Sequence, residues 1–299
     1  MSLERGRRAW YRSGMSLPTL AERALSGLAC KLDELAGGIT RVRLSSRTTR
    51  LNHMQVALYR VGELLVDTGF ARARALSLRA LEGQRLAAIL LTHHHEDHSG
   101  AAAALAARHA CPVYLRRPEV RRTEGLDAIK PYRRLWWGEP GEYGPLPMPE
   151  RIDAGGRALR AVPIPGHSAS HTAFLDELSG AVLVGDLYIS GGATAVMSHE
   201  DPYESIASLR RVADLEPARM LTGHGLSMER PAAALREKAA RIEAAAGEIL
   251  RLHRAGLPER EICRRVFPGG RAKDRFLELL TQGEFSRLNL VRACIRRAP

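Results

Sequence analysis

The stretch LLTHHHEDHSG, residues 90–100, places four histidines and two acids within six consecutive positions. It follows the apolar run LAAIL, which predicts a buried strand. Side chains alternate between the two faces of an extended segment, so we expect His93, His95 and Asp97 on one face and His94 and Glu96 on the other. The stretch therefore predicts a metal site at the end of a strand.

Three later segments each present one further potential ligand directly after a predicted strand. They are His167 in PIPGHSASH, Asp186 in VLVGDLY and His224 in LTGHG, and each has a glycine beside it. Glycine permits the tight backbone turn that aims a side chain at a strand end into a shared cleft. We therefore expect these side chains to join the histidine-rich stretch in one site.

The composition is that of an ordinary globular protein. Of the 299 residues, 45% are hydrophobic and 26% charged. No apolar run reaches the roughly 18 residues of a membrane helix, so no membrane partner is expected. The four cysteines form no CxxC pair, which favours reduced thiols in the cytoplasm. The net charge of +12 is the sum of +6 in residues 1–50, −1 in residues 51–228 and +7 in residues 229–299. Such basic ends could attract nucleic acid, which is the less favoured alternative partner.

The sequence patterns divide the chain into three parts. A basic N-terminal extension, residues 1–37, precedes a layered domain of strands and helices, residues 38–228, and a helical C-terminal domain, residues 229–299. Residues 116–150 show no sustained periodicity and predict an insertion near the site. The insertion contains Trp136 and Trp137, whose rings would either anchor it to the core or line a pocket. Ser286 is the predicted N-cap of the last helix.

The ordered set of motifs resembles that of the metallo-β-lactamase superfamily. The superfamily signature HxHxDH is matched by His93, His95, Asp97 and His98, and it is followed in the expected order by His167, Asp186 and His224. The resemblance covers residues 38–228, including LVDTG at 65–69. It implies an α/β fold, a four-layer αββα sandwich with a metal site at the sheet edge, to which this chain adds an α-helical C-terminal extension.

Carried over by position, the resemblance implies two divalent metal ions. The first ion would be bound by His93, His95 and His167, the second by Asp97, His98 and His224, and Asp186 would bridge the two. Zinc (Zn2+) is the expected metal, and iron or manganese accept the same ligand types. The pair of ions would lower the pKa of a water toward ~7 and supply hydroxide for hydrolysis, with Asp97 and Asp186 as catalytic carboxylates.

The chain also resembles glyoxalase II and its relatives in the histidine cluster, the GHSASH segment and the helical C-terminus. This resemblance implies hydrolysis of a small-molecule acyl thioester or a related ester or lactone. The residues after Asp186, LYISGGATAV, differ from those of glutathione thioesterases, so glutathione is not assigned as the thiol. One alternative is a single-strand-specific endoribonuclease or phosphodiesterase of the same fold, because the basic C-terminus would suit phosphates. Another is a metal-containing regulatory binding protein.

Several further residues are given supporting roles or none. His171 is expected to support the ligands or pack beside them, and Asp67 to brace the ligand loop through hydrogen bonds. His94 is expected to point away from the metals and to be expendable for metal binding. The histidines without a partner motif are left out of the site, namely His53, His109, His199 and His253.

Overall fold

The computed structural model describes residues 27–51, 54–117, 129–189, 195–269 and 278–298. In these ranges the strands form two mixed sheets. The first sheet follows the chain order, with neighbours antiparallel from β1 to β4 and parallel from β4 to β7. Its strands are β1 (Ala29–Leu35), β2 (Ile39–Ser45), β3 (Val56–Val61), β4 (Leu64–Val66), β5 (Ala88–Leu90), β6 (Val113–Leu115) and β7 (Leu146–Pro147).

The second sheet has the order β13-β12-β11-β10-β9-β8 and contains one parallel pair, β11 with β12. Its strands are β8 (Arg151–Ala154), β9 (Arg157–Pro163), β10 (Thr172–Asp176), β11 (Ala181–Leu183), β12 (Arg219–Leu221) and β13 (Ser227–Glu229). The described helices are α1 (Arg47–Leu51), α2 (Arg74–Ala80), α3 (Glu96–Ser99), α4 (Ala102–His109), α5 (Pro131–Trp137), α6 (Pro202–Ala213), α7 (Ala232–Arg254), α8 (Glu259–Val266) and α9 (Arg287–Arg296).

Three clusters of apolar side chains lie between the layers of the fold. One lies between the sheets and joins Tyr59 and Leu90 of the first sheet to Phe174 of the second. A second packs the outer face of the first sheet against α4 and α5, and a third packs the second sheet against α6 and α7. The order of layers is therefore helix, sheet, sheet, helix, which confirms the predicted αββα sandwich.

Strand β3 shows how the sequence specifies these layers. Its residues VALYRV are almost all buried, because the strand has a helix layer on one side and the second sheet on the other. Alternate side chains accordingly join different clusters, with Leu58 in the helix-side cluster and Tyr59 between the sheets. The turn to β4 places Gly62 at φ 61°, a backbone conformation that favours glycine.

The first sheet begins earlier than the sequence patterns indicate. Strand β1 lies inside residues 1–37, the predicted N-terminal extension, and pairs with β2 along its whole length. Most of its side chains are at least partly exposed because it is an edge strand, and this weakens the apolar pattern that would reveal it. Part of the predicted extension therefore belongs to the sheet, whereas residues 1–26 lie outside the described residues.

The predicted insertion, residues 116–150, is helical in part. Helix α5 and the short strand β7 lie within it, and residues 118–128 are outside the described residues. Trp136 and Trp137 belong to the apolar cluster beside the first sheet, and the Trp137 ring centroid lies 5.5 Å from that of Phe70. The two rings therefore anchor the insertion to the core.

The C-terminal helices form a unit that packs on the second sheet. Helices α7, α8 and α9 share an apolar cluster that includes Ile249, Ile262 and Val291, and α7 also packs against α6. The Ser286 hydroxyl accepts a hydrogen bond from the Asn289 amide at 3.1 Å, which confirms the predicted N-cap of α9. In the described part of the chain, no helix combines the length and apolarity required to span a membrane.

Candidate metal centre

The seven predicted ligands converge into two adjacent groups of potential metal donors. The first group consists of His93, His95 and His167, and its donor atoms lie within 4.8 Å of one another. His95 Nδ1 is 2.9 Å from His93 Nε2 and 3.0 Å from His167 Nε2. Three imidazole nitrogens thus face a common point without an acidic side chain among them.

The second group contains the two acids. It consists of Asp97, His98, Asp186 and His224, again with donor atoms within 4.8 Å of one another. His98 Nε2 lies 3.3 Å from Asp186 Oδ1 and 3.5 Å from Asp97 Oδ2. His224 Nε2 lies 3.2 Å from Asp186 Oδ2. This group therefore combines two imidazole donors with two carboxylate donors.

Asp186 lies between the two groups. Its Oδ2 atom is 3.2 Å from His224 Nε2 in the second group and 3.7 Å from His167 Nε2 in the first. A carboxylate has two oxygens and can contact two ions at once. Asp186 is therefore in contact with both groups of potential donors.

The ligand segment changes backbone conformation partway along. His95 is extended, with φ −61° and ψ 150°, but residues Glu96–Ser99 form the single helical turn α3. Simple strand alternation would place His98 on the same face as His94 and Glu96. The helical turn instead brings His98 to the centre beside Asp97. The next helix, α4, begins at Ala102, after this turn.

Two glycines let the backbone approach the centre closely. A Cβ atom on Gly223 would lie 2.4 Å from His98 Cε1 and 2.7 Å from Asp186 Oδ1. Gly185 has φ 50°, and a Cβ atom there would lie 2.7 Å from both His171 Nε2 and Thr92 Oγ1. Any other residue at either position would displace a ligand or a group that supports one.

Each of four ligand histidines has its second ring nitrogen on a protein oxygen. Asp67 Oδ2 is 2.9 Å from Nδ1 of His98, and Glu200 Oε2 is 3.3 Å from Nδ1 of His167. The remaining two partners are Thr92 Oγ1, 3.0 Å from Nδ1 of His93, and the Gln55 carbonyl oxygen, 2.8 Å from Nδ1 of His224. Such contacts set the ring orientation and leave Nε2 free to bind a metal.

The predicted supporting residues make the expected hydrogen bonds. Asp67 accepts from the Thr92 amide at 2.8 Å in addition to its contact with His98, so it connects β5 to the second group. The Asp186 amide donates to His171 Nε2 at 3.3 Å. His171 therefore holds the backbone beside a ligand and belongs to neither donor group.

The sequence patterns did not identify Glu200 or Gln55 as partners of the ligands. Glu200 is 33 positions from His167 in the chain, and Gln55 contributes a backbone oxygen, which any residue type provides. They also missed Arg133 of α5, whose guanidinium joins Glu96 at 2.9 Å and Glu284 at 3.3 Å. This buried network connects the ligand segment to the insertion and the C-terminal segment.

The electrostatics of the two groups differ. Burial lowers the pKa of His93 and His95 well below its usual value, so both rings are neutral and able to bind metal. Burial opposes protonation of His224 as well, but the Asp186 carboxylate raises that pKa to about 9. The pKa of Asp186 is well below its usual range because His224 and His98 outweigh the effect of burial. A divalent ion in the second group would take the place of the histidine protons.

The centre fits divalent metal ions by its unpaired atoms and by its chemistry. Asp186 Oδ1 and His98 Nε2 are fully buried and make no hydrogen bond within the described part of the chain. Buried polar atoms of this kind are costly unless they bind a partner. Five imidazoles and two carboxylates form a donor set that zinc, iron and manganese accept. The His and Asp cluster thus implies binding of divalent metal.

The histidines left out of the site lie outside both donor groups where they are described. His94 is 2% exposed, and its Nδ1 lies 3.3 Å from the hydroxyls of Ser170 and Ser168. The His199 ring centroid is 6.0 Å from that of His95. His53 lies outside the described residues.

Comparison with known proteins places the geometry in a family. The family model described as "Metallo-beta-lactamase superfamily" matches residues 60–224, more than half of the chain. A hydroxyacylglutathione hydrolase of Acidiphilium cryptum is 33% identical over 219 residues, covering 72% of this chain and 82% of that protein. An atrochrysone carboxyl ACP thioesterase of Aspergillus fumigatus is 31% identical over 176 residues, 56% of this chain. The match spans 48% of the thioesterase, about half its length.

Solved structures share the fold. A β-lactamase domain protein from Burkholderia ambifaria superposes with a TM-score of 0.65 at 20% identity, covering 89% of this chain and 88% of that one. The protein TTHA1623, solved in a di-iron-bound form, has a TM-score of 0.50 at 32% identity and covers 60% of this chain and 93% of its own. Fold, family model and relatives agree: the chain belongs to the metallo-β-lactamase superfamily.

Proposed function

We propose that this protein hydrolyses acyl thioesters or related esters and lactones with the help of two divalent metal ions. The observation that carries the proposal is the pair of adjoining donor groups with Asp186 between them. His93, His95 and His167 would hold one ion, Asp97, His98 and His224 the other, and Asp186 both. When bound, such a pair lowers the pKa of a water toward ~7 and supplies the hydroxide that attacks a carbonyl.

The chain's own residues would tune and orient this chemistry. Asp97 and Asp186 are the two anionic donors, and they would balance part of the charge of the ions at the reacting centre. Asp67 and Glu200 would fix the orientation of the His98 and His167 rings, respectively, through their Nδ1 atoms. The side chains of the centre are 10% exposed or less, which limits the access of bulk water.

Two observations support an acyl substrate over RNA. The relatives at 31% and 33% identity are a thioesterase and a hydroxyacylglutathione hydrolase. In addition, several basic residues of the C-terminal helices are paired with acids in the chain, which reduces the free positive charge that this segment of net charge +7 offers to phosphates. Examples are Arg251 with Glu248, Arg264 with Glu261, and Arg292 with Glu259. Zinc is the proposed metal, with iron or manganese as the alternatives.

A substrate panel tests the proposal. Protein reconstituted with zinc, iron or manganese would be offered acyl thioesters, lactones, a β-lactam, bis-p-nitrophenyl phosphate and single-stranded RNA. We expect turnover of thioesters or esters that changes little with salt. RNA cleavage that weakens steeply as salt rises would favour the nuclease alternative. No turnover of any substrate by fully metallated protein would favour a regulatory binding protein.

The dinuclear assignment has its own test. Elemental analysis should give two metal ions per chain, because seven donors exceed the four of one tetrahedral ion. We expect Asp186→Ala to lose most of its activity, by ~10³-fold, since several kcal/mol of stabilisation by both ions depends on this residue. A ratio that stays near one ion per chain after reconstitution would contradict the dinuclear centre.

A further inference from the structure

A small cavity borders the candidate metal centre. It has a volume of about 90 Å³, and His167 and Asp186 form part of its wall. The rest of the wall is mostly apolar and comes from residues 187–189, residues 195–200, helices α6 and α7, and the C-terminal segment. Its apolar residues include Leu187, Ile189, Val196, Ile242, Phe285 and Leu290. An apolar acyl group attached to a carbonyl at the metals would fit against such a wall.

One lysine interrupts the apolar wall. Lys238 lies on α7 and is only 8% exposed. Its Nζ donates to the Leu187 carbonyl at 3.1 Å and lies 4.8 Å from the Tyr188 ring centroid. An ammonium group has three donors. No carboxylate of the described residues lies within ion-pair distance of this one, which leaves donors available toward the cavity.

The two acids of the cavity wall, Glu200 and Asp186, lie near this charge, but among the described residues neither is within ion-pair distance of it. Glu200 Oε1 accepts from the Met197 amide at 2.8 Å, and Oε2 is 3.3 Å from His167 Nδ1. Both oxygens are therefore already engaged. Taking an ammonium out of water costs several kcal/mol unless a partner restores the loss. Burial accordingly lowers the pKa of Lys238 to about 8, and the side chain is still largely charged at neutral pH.

We propose that Lys238 binds a carboxylate at the far end of the acyl chain, so that the preferred substrates are half-thioesters of dicarboxylic acids. This inference rests on the proposed thioester hydrolysis. The thioester carbonyl would lie at the metals, the methylene chain against the apolar wall, and the terminal carboxylate on the ammonium. The wall holds one ammonium with two acids, Glu200 and Asp186, nearby, so a phosphate dianion would be repelled more strongly than a carboxylate monoanion.

Paired substrates test the specificity. Succinyl, glutaryl and adipoyl thioesters of N-acetylcysteamine would each be compared with the fatty acyl thioester of the same chain length. In the wild-type protein we expect kcat/KM to favour at least one dicarboxylic substrate by roughly tenfold or more, mainly through KM. Lys238→Met should abolish this preference. A purely structural lysine would lower both kcat/KM values in parallel and keep their ratio, which would overturn the proposal.

Ile242→Ala provides the matched control. Ile242 lies one helical turn from Lys238 and lines the same cavity without a charge. Its truncation should change kcat/KM for the dicarboxylic thioester and for the matching fatty acyl thioester by the same factor. Circular dichroism and metal content would verify each variant, and Lys238→Gln would replace Lys238→Met if the latter does not fold.

A binding measurement separates this inference from the proposed function. Calorimetry of metal-loaded protein with adipate and hexanoate requires no turnover. We expect adipate to bind at least about tenfold more tightly than hexanoate, and this difference to disappear in Lys238→Met. If no thioester is hydrolysed but the difference is found, the proposed function fails and the carboxylate site stands. Equal binding of the two acids would overturn the site even if thioesters are hydrolysed.

Discussion

The ligand segment His93–His98 has two sides, and both are buried. On the side toward the cleft, His93 is 0% and Asp97 7% exposed, and on the opposite side His94 is 2% and Glu96 3% exposed. The difference lies in the partners. Donor atoms on the cleft side face one another, whereas His94 contacts serine hydroxyls and Glu96 binds a guanidinium. Burial alone therefore does not distinguish a metal ligand from a structural polar residue.

The comparison separates two ways of stabilising buried polar groups. On the opposite side, protein groups contact the polar atoms, namely Ser168 and Ser170 beside His94 Nδ1 and Arg133 beside Glu96. On the cleft side, buried atoms that make no hydrogen bond within the described residues, such as His98 Nε2 and Asp186 Oδ1, lie among the converging donor atoms, where a metal ion would satisfy them. Substitutions on the cleft side should therefore change metal binding first, and substitutions on the opposite side should change stability first.

The largest effect is expected on the cleft side. His93→Ala removes one of three imidazoles from the first group, so metal affinity should fall by more than the roughly 10–100-fold typical of outer partners of a ligand. Activity should fall with it. Metal stoichiometry of the folded variant, measured by elemental analysis after dialysis, checks this. Retention of two ions would show that His93 is not a ligand.

On the opposite side, the largest expected effect is on stability. Arg133→Met leaves Glu96 buried without its cation and Glu284 with only Lys130 at 3.8 Å, and the loss of a buried partner costs about 3–5 kcal/mol of the free energy of unfolding. Arg134→Met is the matched control, because Arg134 is 58% exposed and its pair with Glu139 is at the surface. The control should cost about 0–1 kcal/mol.

Urea denaturation of both arginine variants gives the comparison. Equal stabilities for Arg133→Met and Arg134→Met would show that the buried network contributes no more than a surface pair. Metal content of the folded Arg133 variant is a second readout, because Glu96 lies between two ligands in the sequence.

A smaller effect should distinguish the two donor groups. Asp67→Asn removes the charge beside His98 and should lower the affinity of the second group for its ion by roughly 10–100-fold. Glu200→Gln removes the corresponding charge beside His167 and should act on the first group. Titration against a metal-binding dye resolves the two ions. If each variant lowers the affinity for both ions equally, the two donor groups act as one unit and are not distinct.

The smallest effect on the metals is expected for His94→Ala. This substitution removes hydrogen bonds to Ser168 and Ser170 and should cost about 1–3 kcal/mol of stability. Two ions and a substantial fraction of turnover should be retained. The comparison is with folded His93→Ala, prepared in parallel and checked by circular dichroism. Equal loss of metal from the two variants would mean that the two sides of the segment are not distinct.

Much of the fold was predictable because its signals are local. The strands and the Ser286 cap depend on residues a few positions apart, and the structure confirms them. Strand β1 was missed because an edge strand buries few side chains. Strand alternation does not account for His98, because the chain turns into α3 from Glu96 onward. The superfamily motif did include His98.

The sequence by itself determined the family, the sandwich fold and the seven candidate ligands, since their types, spacing and order lie along the chain. Only the tertiary structure decided what surrounds them. Glu200 beside His167, Arg133 beside Glu96 and Lys238 in the cavity wall are each brought into place from distant segments. Such contacts arise when separate elements bury their apolar faces together, and that packing brings polar groups into proximity without any local sequence pattern.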